Sequence, residues 1–243
     1  MALFYVYMRW FREGDPSSAD SGRQLLTCSS RNAADEFFRA LQTLRFPDGR
    51  LWYTFLERRS PQYWSYDSVD ADPWNTVLHV LRSHPMAPFR NRIMSQVLSG
   101  ASGGDWHPVP ISDQLDWVHE GTYFIRNKRQ PQLYWYYSGG SIILVSDTQK
   151  TKFRVCGTAF AKGERKYLIR SDEVEFRRID ESRTSYLSKD PSSNTVRISY
   201  DARAWKFGDL LGGFSTTYGG TGNGVFELLK CATDGDGDNW ELC

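Results

Sequence analysis

The sequence predicts an α+β N-terminal domain over residues 1–98, a linker over residues 99–115 and an all-β domain over residues 116–243. Three observations lead to this fold class. Helix and strand patterns alternate in the first part, and a run of six small residues at 99–104 follows it. Beyond that run, short β-like stretches alternate with turns rich in Gly, Ser, Asp and Asn. A length of 243 residues suits two domains of ordinary size.

The first part mixes both types of secondary structure. In chain order the sequence predicts a strand over 3–11, a helix over 32–46, strands over 51–59 and 62–67, and helices over 74–82 and 88–98. The helix over 32–46 has apolar residues at helix spacing, and it begins beside Ser30 and Asn32, either of which can cap its first turn. This order of elements is typical of an α+β domain, and no known family is evident in it.

An internal repeat predicts the architecture of the second part. The segments 147–153, 201–207 and 234–240 each carry Asp, four further residues, Lys or Asn, and then an aromatic residue. The starts of the first two copies also match, since 123–126 reads Tyr-Phe-Ile-Arg and 167–170 reads Tyr-Leu-Ile-Arg. Three short β units suit a closed three-fold barrel, the β-trefoil, because closure leaves no exposed sheet edge. The repeated aromatic residues are expected to form its structural core: Phe153, Phe207 and Trp240.

The segments 120–127, 132–135 and 151–155 together resemble the first unit of a ricin-B-type β-trefoil, as found in fungal lectins. That family ends each unit with a Gln-x-Trp motif. The corresponding tripeptides here lack the glutamine, and two of them lack the tryptophan. The resemblance implies a trefoil that binds carbohydrate, with fewer than three working sites.

An aromatic run supplies the candidate ligand-binding residues. Trp135, Tyr136 and Tyr137 follow one another in a predicted strand, where neighbours point to opposite faces, so at least one ring should face outward. An outward ring can stack on a sugar face or another flat ligand. Core packing with an exposed edge is the alternative. The resemblance adds Asp180, because sugar sites of the family place an aspartate after an early strand of a unit to accept hydrogen bonds from hydroxyl groups.

Composition and residue spacing exclude several classes of binding partner and cofactor. A formal net charge of +1 provides no global field to hold nucleic acid, and no apolar run is long enough for a membrane span. The N-terminus lacks the features of a signal peptide, which predicts a cytoplasmic protein with free thiols. The spacing of the four histidines and four cysteines matches no zinc motif, so neither a metal nor another cofactor is expected.

These observations lead to three functional hypotheses. The first is a carbohydrate-binding, lectin-like protein without a catalytic role, whose partner is a glycan. The second is a trefoil that binds a protein partner, such as a cytosolic protease inhibitor or an interaction module. The third is an enzyme or toxin whose N-terminal domain is catalytic and whose trefoil directs it to a target.

Overall fold

The computed structural model describes residues 3–12, 14, 22–68, 75–98, 116–179, 184–220, 225–232 and 237–243, with the backbone alone at 179, 218–220 and 225–227. The predicted linker at 99–115 lies outside these residues. The chain divides into two compact units, Met1–Asp116 and Trp117–Cys243. Among the helices that the structure describes, none is long and apolar enough to cross a membrane.

The first unit is built on a five-stranded sheet. Its strands are β1 (Phe4–Trp10), β2 (Gln24–Cys28), β3 (Tyr53–Ser60), β4 (Tyr63–Ser68) and β5 (Ile93–Val97). They lie in the order β3-β4-β1-β2-β5, with β1 and β4 parallel and the other neighbours antiparallel. Every second side chain of β1 is buried, as the two-residue period of a strand requires. The sequence patterns indicated β1, β3 and β4 but not β2.

Among the described residues of this unit, three helices accompany the sheet: α1 (Arg31–Thr43), α2 (Thr76–Arg82) and a 3₁₀ helix (His84–Phe89). Helix α1 begins where the hydroxyl of Ser30 accepts a hydrogen bond from the backbone N–H of Ala33 at 3.2 Å. Its apolar stripe is buried, and Phe38 meets Trp64 of β4 edge to face at 4.9 Å. The helix predicted over 88–98 is wrong, because this stretch ends the 3₁₀ helix and then pairs with β2 as β5.

A buried ionic network lies within the first unit. The guanidinium of Arg58 donates a hydrogen bond to the carboxylate of Asp35 at 2.6 Å. Two of its nitrogens also donate to the carboxylate of Asp116, at 2.5 and 3.1 Å. Arg31 lies 3.5 Å from Asp35 and 3.4 Å from Asp116. Burial lowers the pKa of Arg58, but the charges of Asp35 and Asp116 outweigh burial and raise this pKa above its usual value. The two positive charges of the arginines thus balance the two negative charges of the aspartates at a buried site, where the Arg58 side chain is 2 % exposed.

The second unit contains a closed β-barrel and a separate β-sheet. Its described residues form twelve strands: β6 (Gly121–Tyr123), β7 (Ile125–Asn127), β8 (Tyr134–Tyr137), β9 (Ile143–Ser146), β10 (Phe153–Gly157), β11 (Glu173–Ile179), β12 (Thr184–Lys189), β13 (Val196–Ser199), β14 (Trp205–Lys206), β15 (Leu211–Gly220), β16 (Val225–Cys231) and β17 (Asp238–Leu242). A closed barrel runs β15-β16-β9-β8-β7-β17. A six-stranded sheet runs β13-β12-β11-β10-β6, with β14 on β11. A 3₁₀ helix (Phe207–Leu210) joins β14 to β15.

Trp135 lies at the centre of the second unit's core. Its ring contacts four other buried aromatic rings at centroid distances of 4.9 to 6.4 Å: Phe153, Phe176, Phe214 and Trp240. Edge-to-face and tilted contacts of this kind stabilise a core beyond the area they bury. The three repeated aromatic residues are all buried in this core, with Phe207 packing against Trp117 at 5.3 Å.

The predicted fold class, an α+β N-terminal domain over 1–98 followed by a β-trefoil over 116–243, is wrong. The described chain is mostly β, and strands form the framework of both units. Three barrel strands come from 125–146 and three from 211–242, whereas the strands within 153–206 belong to the separate sheet. A three-fold trefoil requires equivalent contributions from its three units. The sequence repeat therefore marks recurring buried aromatic positions, and it does not mark equal shares of the barrel.

Candidate functional site

A cleft of about 580 Å³ opens in the second unit, between β14, the 3₁₀ helix that follows it, and the ends of neighbouring strands. This volume lies in the range of small-molecule sites. Five charged side chains line the cleft: Glu173, Lys189, Arg203, Lys206 and Asp209. Trp205, Leu211 and Cys231 add less polar surface. Small residues fill most of the remaining wall: Ala204, Gly208, Gly212, Gly213 and Ala232.

Trp205 anchors one wall of the cleft. Its ring is 7 % exposed, and its indole N–H donates a hydrogen bond to the carbonyl of Leu187 at 3.1 Å. The guanidinium carbon of Arg203 lies 4.8 Å from the centroid of the Trp205 ring. A cation on an indole face is attracted by the ring quadrupole. Trp205 therefore holds a flexible arginine in place at the rim.

Asp209 shapes the turn at the floor of the cleft. One of its carboxylate oxygens accepts a hydrogen bond from the backbone N–H of Lys206 at 3.0 Å, which satisfies a donor at the start of the 3₁₀ helix. Gly212 has φ of 99°, a left-handed conformation that favours glycine. A Cβ on Gly213 would lie 2.6 Å from the carbonyl oxygen of Asp209. The Gly-Gly pair thus lets the chain turn tightly beside the carboxylate.

The charged side chains of the cleft do not neutralise one another. Glu173 and Lys206 are register partners on β11 and β14. Even so, among the described residues no ion pair within 4.0 Å joins any two of the five charged groups. Charges that are left apart in a concave site remain available to a ligand. The cleft offers both carboxylate acceptors and cationic donors.

Cys231 is the one thiol that lines the cleft. Burial raises its pKa above the ordinary value, the positive charges of Lys189 and Arg203 oppose this rise, and Asp209 reinforces it. A thiol with a raised pKa carries little thiolate at neutral pH and is a poor nucleophile. Cys28 in the first unit is still less reactive, since burial raises its pKa to about 12. All four cysteines are free.

The residues that the sequence proposed for ligand binding differ in how far they are buried. Trp135 is fully buried, so no face of its ring is open to a ligand. Tyr136 and Tyr137 are half-buried, and the guanidinium carbon of Arg178 lies 4.0 Å from the ring centroid of Tyr137. Asp180 lies outside the described residues. None of the three aromatic residues lines the cleft.

Sequence reasoning passed over the residues that do line the cleft. Arg203, Trp205 and Lys206 lie in the repeated segment 201–207, where the pattern predicted a structural role for Phe207 alone, and no pattern indicated Asp209. The Leu-Gly-Gly run at 211–213 was the local signal, because adjacent glycines often mark a close approach of backbone segments. Among the described residues, no group of three or more His, Cys, Asp or Glu side chains is placed to hold a metal ion.

No family model matches the chain, and no curated protein matches it.

Proposed function

We propose that the protein binds carbohydrate, and that the cleft around Trp205 is its binding site. The observation that carries this proposal is the presence, in one small cleft, of carboxylates and cations that form no ion pair with one another. A sugar hydroxyl both donates and accepts hydrogen bonds, so it can use both kinds of group at once. A hydrogen bond to a charged group contributes about 1.5–3 kcal/mol of free energy, which is more than a hydrogen bond between two neutral groups contributes.

The chemistry of each side chain that lines the cleft gives its role in binding a sugar. Glu173 and Asp209 accept hydrogen bonds from hydroxyl groups, while Arg203 donates to ring or hydroxyl oxygens. The small residues leave backbone groups within reach of a ligand. The edge of Trp205 and the side chain of Leu211 offer a limited apolar surface to the C–H groups of a sugar.

Glycan-array binding with the full chain tests the proposal. We expect a restricted set of glycans to bind, and we expect binding to fall in Arg203→Ala and in Glu173→Gln, which replace exposed side chains outside the core. Arg129→Ala is the matched control, because Arg129 is also exposed and does not line the cleft. Absence of glycan binding by the wild-type chain, together with recovery of one specific protein partner, would replace this proposal with the protein-binding alternative.

A further inference from the structure

Away from the cleft, two lysines of the second unit lie over one pair of aromatic rings. The ammonium of Lys150 lies 4.5 Å from the ring centroid of Phe124 and 5.0 Å from that of Tyr134. The ammonium of Lys152 lies 5.1 Å from the same Phe124 centroid. The two rings meet edge to face at 6.2 Å. We call these four residues the lysine–aromatic cluster, and none of them lines the cleft.

The turn that carries both lysines is tied at its two ends. At its start, the hydroxyl of Ser146 accepts hydrogen bonds from the backbone N–H groups of Thr148 and Gln149, at 3.2 and 3.1 Å. At its end, the N–H of Thr151 donates to the carbonyl of Trp135 at 3.0 Å. The hydroxyl of Thr151 also accepts from the N–H of Tyr137 at 2.9 Å. The positions of the two lysines are thereby set by the barrel strands β8 and β9.

The surface beside the lysine–aromatic cluster has an excess of positive charge. Arg126 pairs with Glu241 at 2.7 Å, and Lys128 lies 3.9 Å from the same carboxylate. No carboxylate among the described residues lies within 4.0 Å of the ammonium of Lys150 or Lys152, although both side chains are exposed. The carboxylate of Glu241 is thus engaged with Arg126 and Lys128, whereas the two ammonium groups of the cluster form no ion pair with a described carboxylate. Two ammonium groups on one ring repel each other, and an anion placed between them relieves that repulsion.

We propose that the lysine–aromatic cluster is a second binding site, specific for the sulfate groups of a sulfated polysaccharide. A neutral sugar carries no charge to balance the two ammonium groups, and the carboxylate of Glu241 is already paired with Arg126. Single-stranded nucleic acid would need open ring faces for its bases, whereas lysine ammoniums occupy the faces of Phe124 and Tyr134. A sulfated chain needs only closely spaced cations at a fixed site, and the tied turn provides them.

Heparin, as the sulfated polysaccharide, tests this site by titration calorimetry with the full chain. We expect Lys150→Ala/Lys152→Ala to weaken binding about tenfold at physiological salt and to reduce the salt dependence by about two counterions. The matched control is Lys162→Ala/Arg165→Ala, which removes the same charge from two exposed residues of the same unit and should change the affinity less than about twofold. Circular dichroism establishes that both variants are folded.

Three results would overturn this inference. The first is a wild-type chain that does not bind heparin at physiological salt. The second is an equal loss of affinity in the two double variants, which would show a response to net charge alone. The third is RNA that binds as tightly as heparin with the same dependence on Lys150 and Lys152. A wild-type chain that binds heparin through Lys150 and Lys152 but binds no unsulfated glycan would refute the cleft proposal alone, so a failure of the cleft proposal and a failure of this site give different results.

Discussion

The guanidinium of Arg203 lies over the indole ring of Trp205, 4.8 Å from its centroid, at the rim of a cleft lined by charged groups that form no ion pair with one another. The ring is buried and hydrogen-bonded to the carbonyl of Leu187, so it provides a rigid support for a side chain that would otherwise be mobile in solvent. An arginine held in this way loses less conformational entropy when it binds a ligand.

This arrangement predicts that Arg203 and a lysine are not interchangeable. Arg203→Lys keeps the charge but loses the planar fork that stacks on Trp205, and we expect glycan affinity to fall about tenfold, corresponding to roughly 1.4 kcal/mol. Titration calorimetry with a glycan identified on the array measures the change. Arg129→Lys is the control and should bind like the wild type. Wild-type affinity in Arg203→Lys would mean that the charge alone matters at this position.

Trp135 should prove to be a core residue. It is fully buried and contacts four other aromatic rings, so Trp135→Ala should lower the free energy of unfolding by roughly 3–5 kcal/mol. Urea denaturation followed by circular dichroism measures this loss, and Tyr200→Ala, at a side chain that is 70 % exposed, is the control.

The smaller change Trp135→Phe separates folding from binding. It keeps an aromatic ring in the core, and we expect glycan affinity to remain within about twofold of wild type because Trp135 does not line the cleft. Loss of binding in a folded Trp135→Phe chain would instead support a stacking role for this ring.

Breaking the ionic network of the first unit should be costly. Arg58→Met leaves Asp35 and Asp116 with buried charge and without their main partner, so we expect the free energy of unfolding to fall by about 3–5 kcal/mol. Urea denaturation of the full chain provides the measurement. Arg50→Met removes an exposed pair with Asp48 and should change stability by less than about 1 kcal/mol. Equal losses in the two variants would contradict a special role for burial.

Asp190 gives a prediction about pH. Its carboxylate accepts hydrogen bonds from the hydroxyl and N–H of Ser192 and from the N–H of Ser193, and these bonds lower its pKa from 3.8 to about 2. Because the folded-state pKa is the lower one, its contribution to stability is fully present above pH 3.8 and is lost as the pH falls through about 2.

Carbon-detected NMR titration of the Asp190 carboxyl group measures this pKa. We expect a midpoint near 2 in the wild type and a shift toward 3.8 in Ser192→Ala, since the hydroxyl of Ser192 is the largest cause of the lowered value. A wild-type midpoint close to 3.8 would show that the turn at Asp190 does not form as described.

Local patterns in the sequence determined the elements whose residues interact with near neighbours. The apolar spacing and the cap at Ser30 predicted α1, and the aromatic and β-branched residues of 3–11 predicted β1. The repeat identified three aromatic residues that are all buried. These signals are strong because helix caps, strand alternation and large aromatic side chains act over a few residues.

Tertiary structure alone decided how the strands associate and where the charges meet. Residues 93–97 became a strand because β2 offers them a pairing edge, which no local propensity could show. The repeat did not reveal that strands within 153–206 leave the barrel for another sheet. Trp135 was placed in the core by its four ring contacts. The cleft assembles Glu173, Lys189, Arg203 and Cys231 from four separate segments of the chain, and contacts between separate segments leave no periodic signal in the sequence.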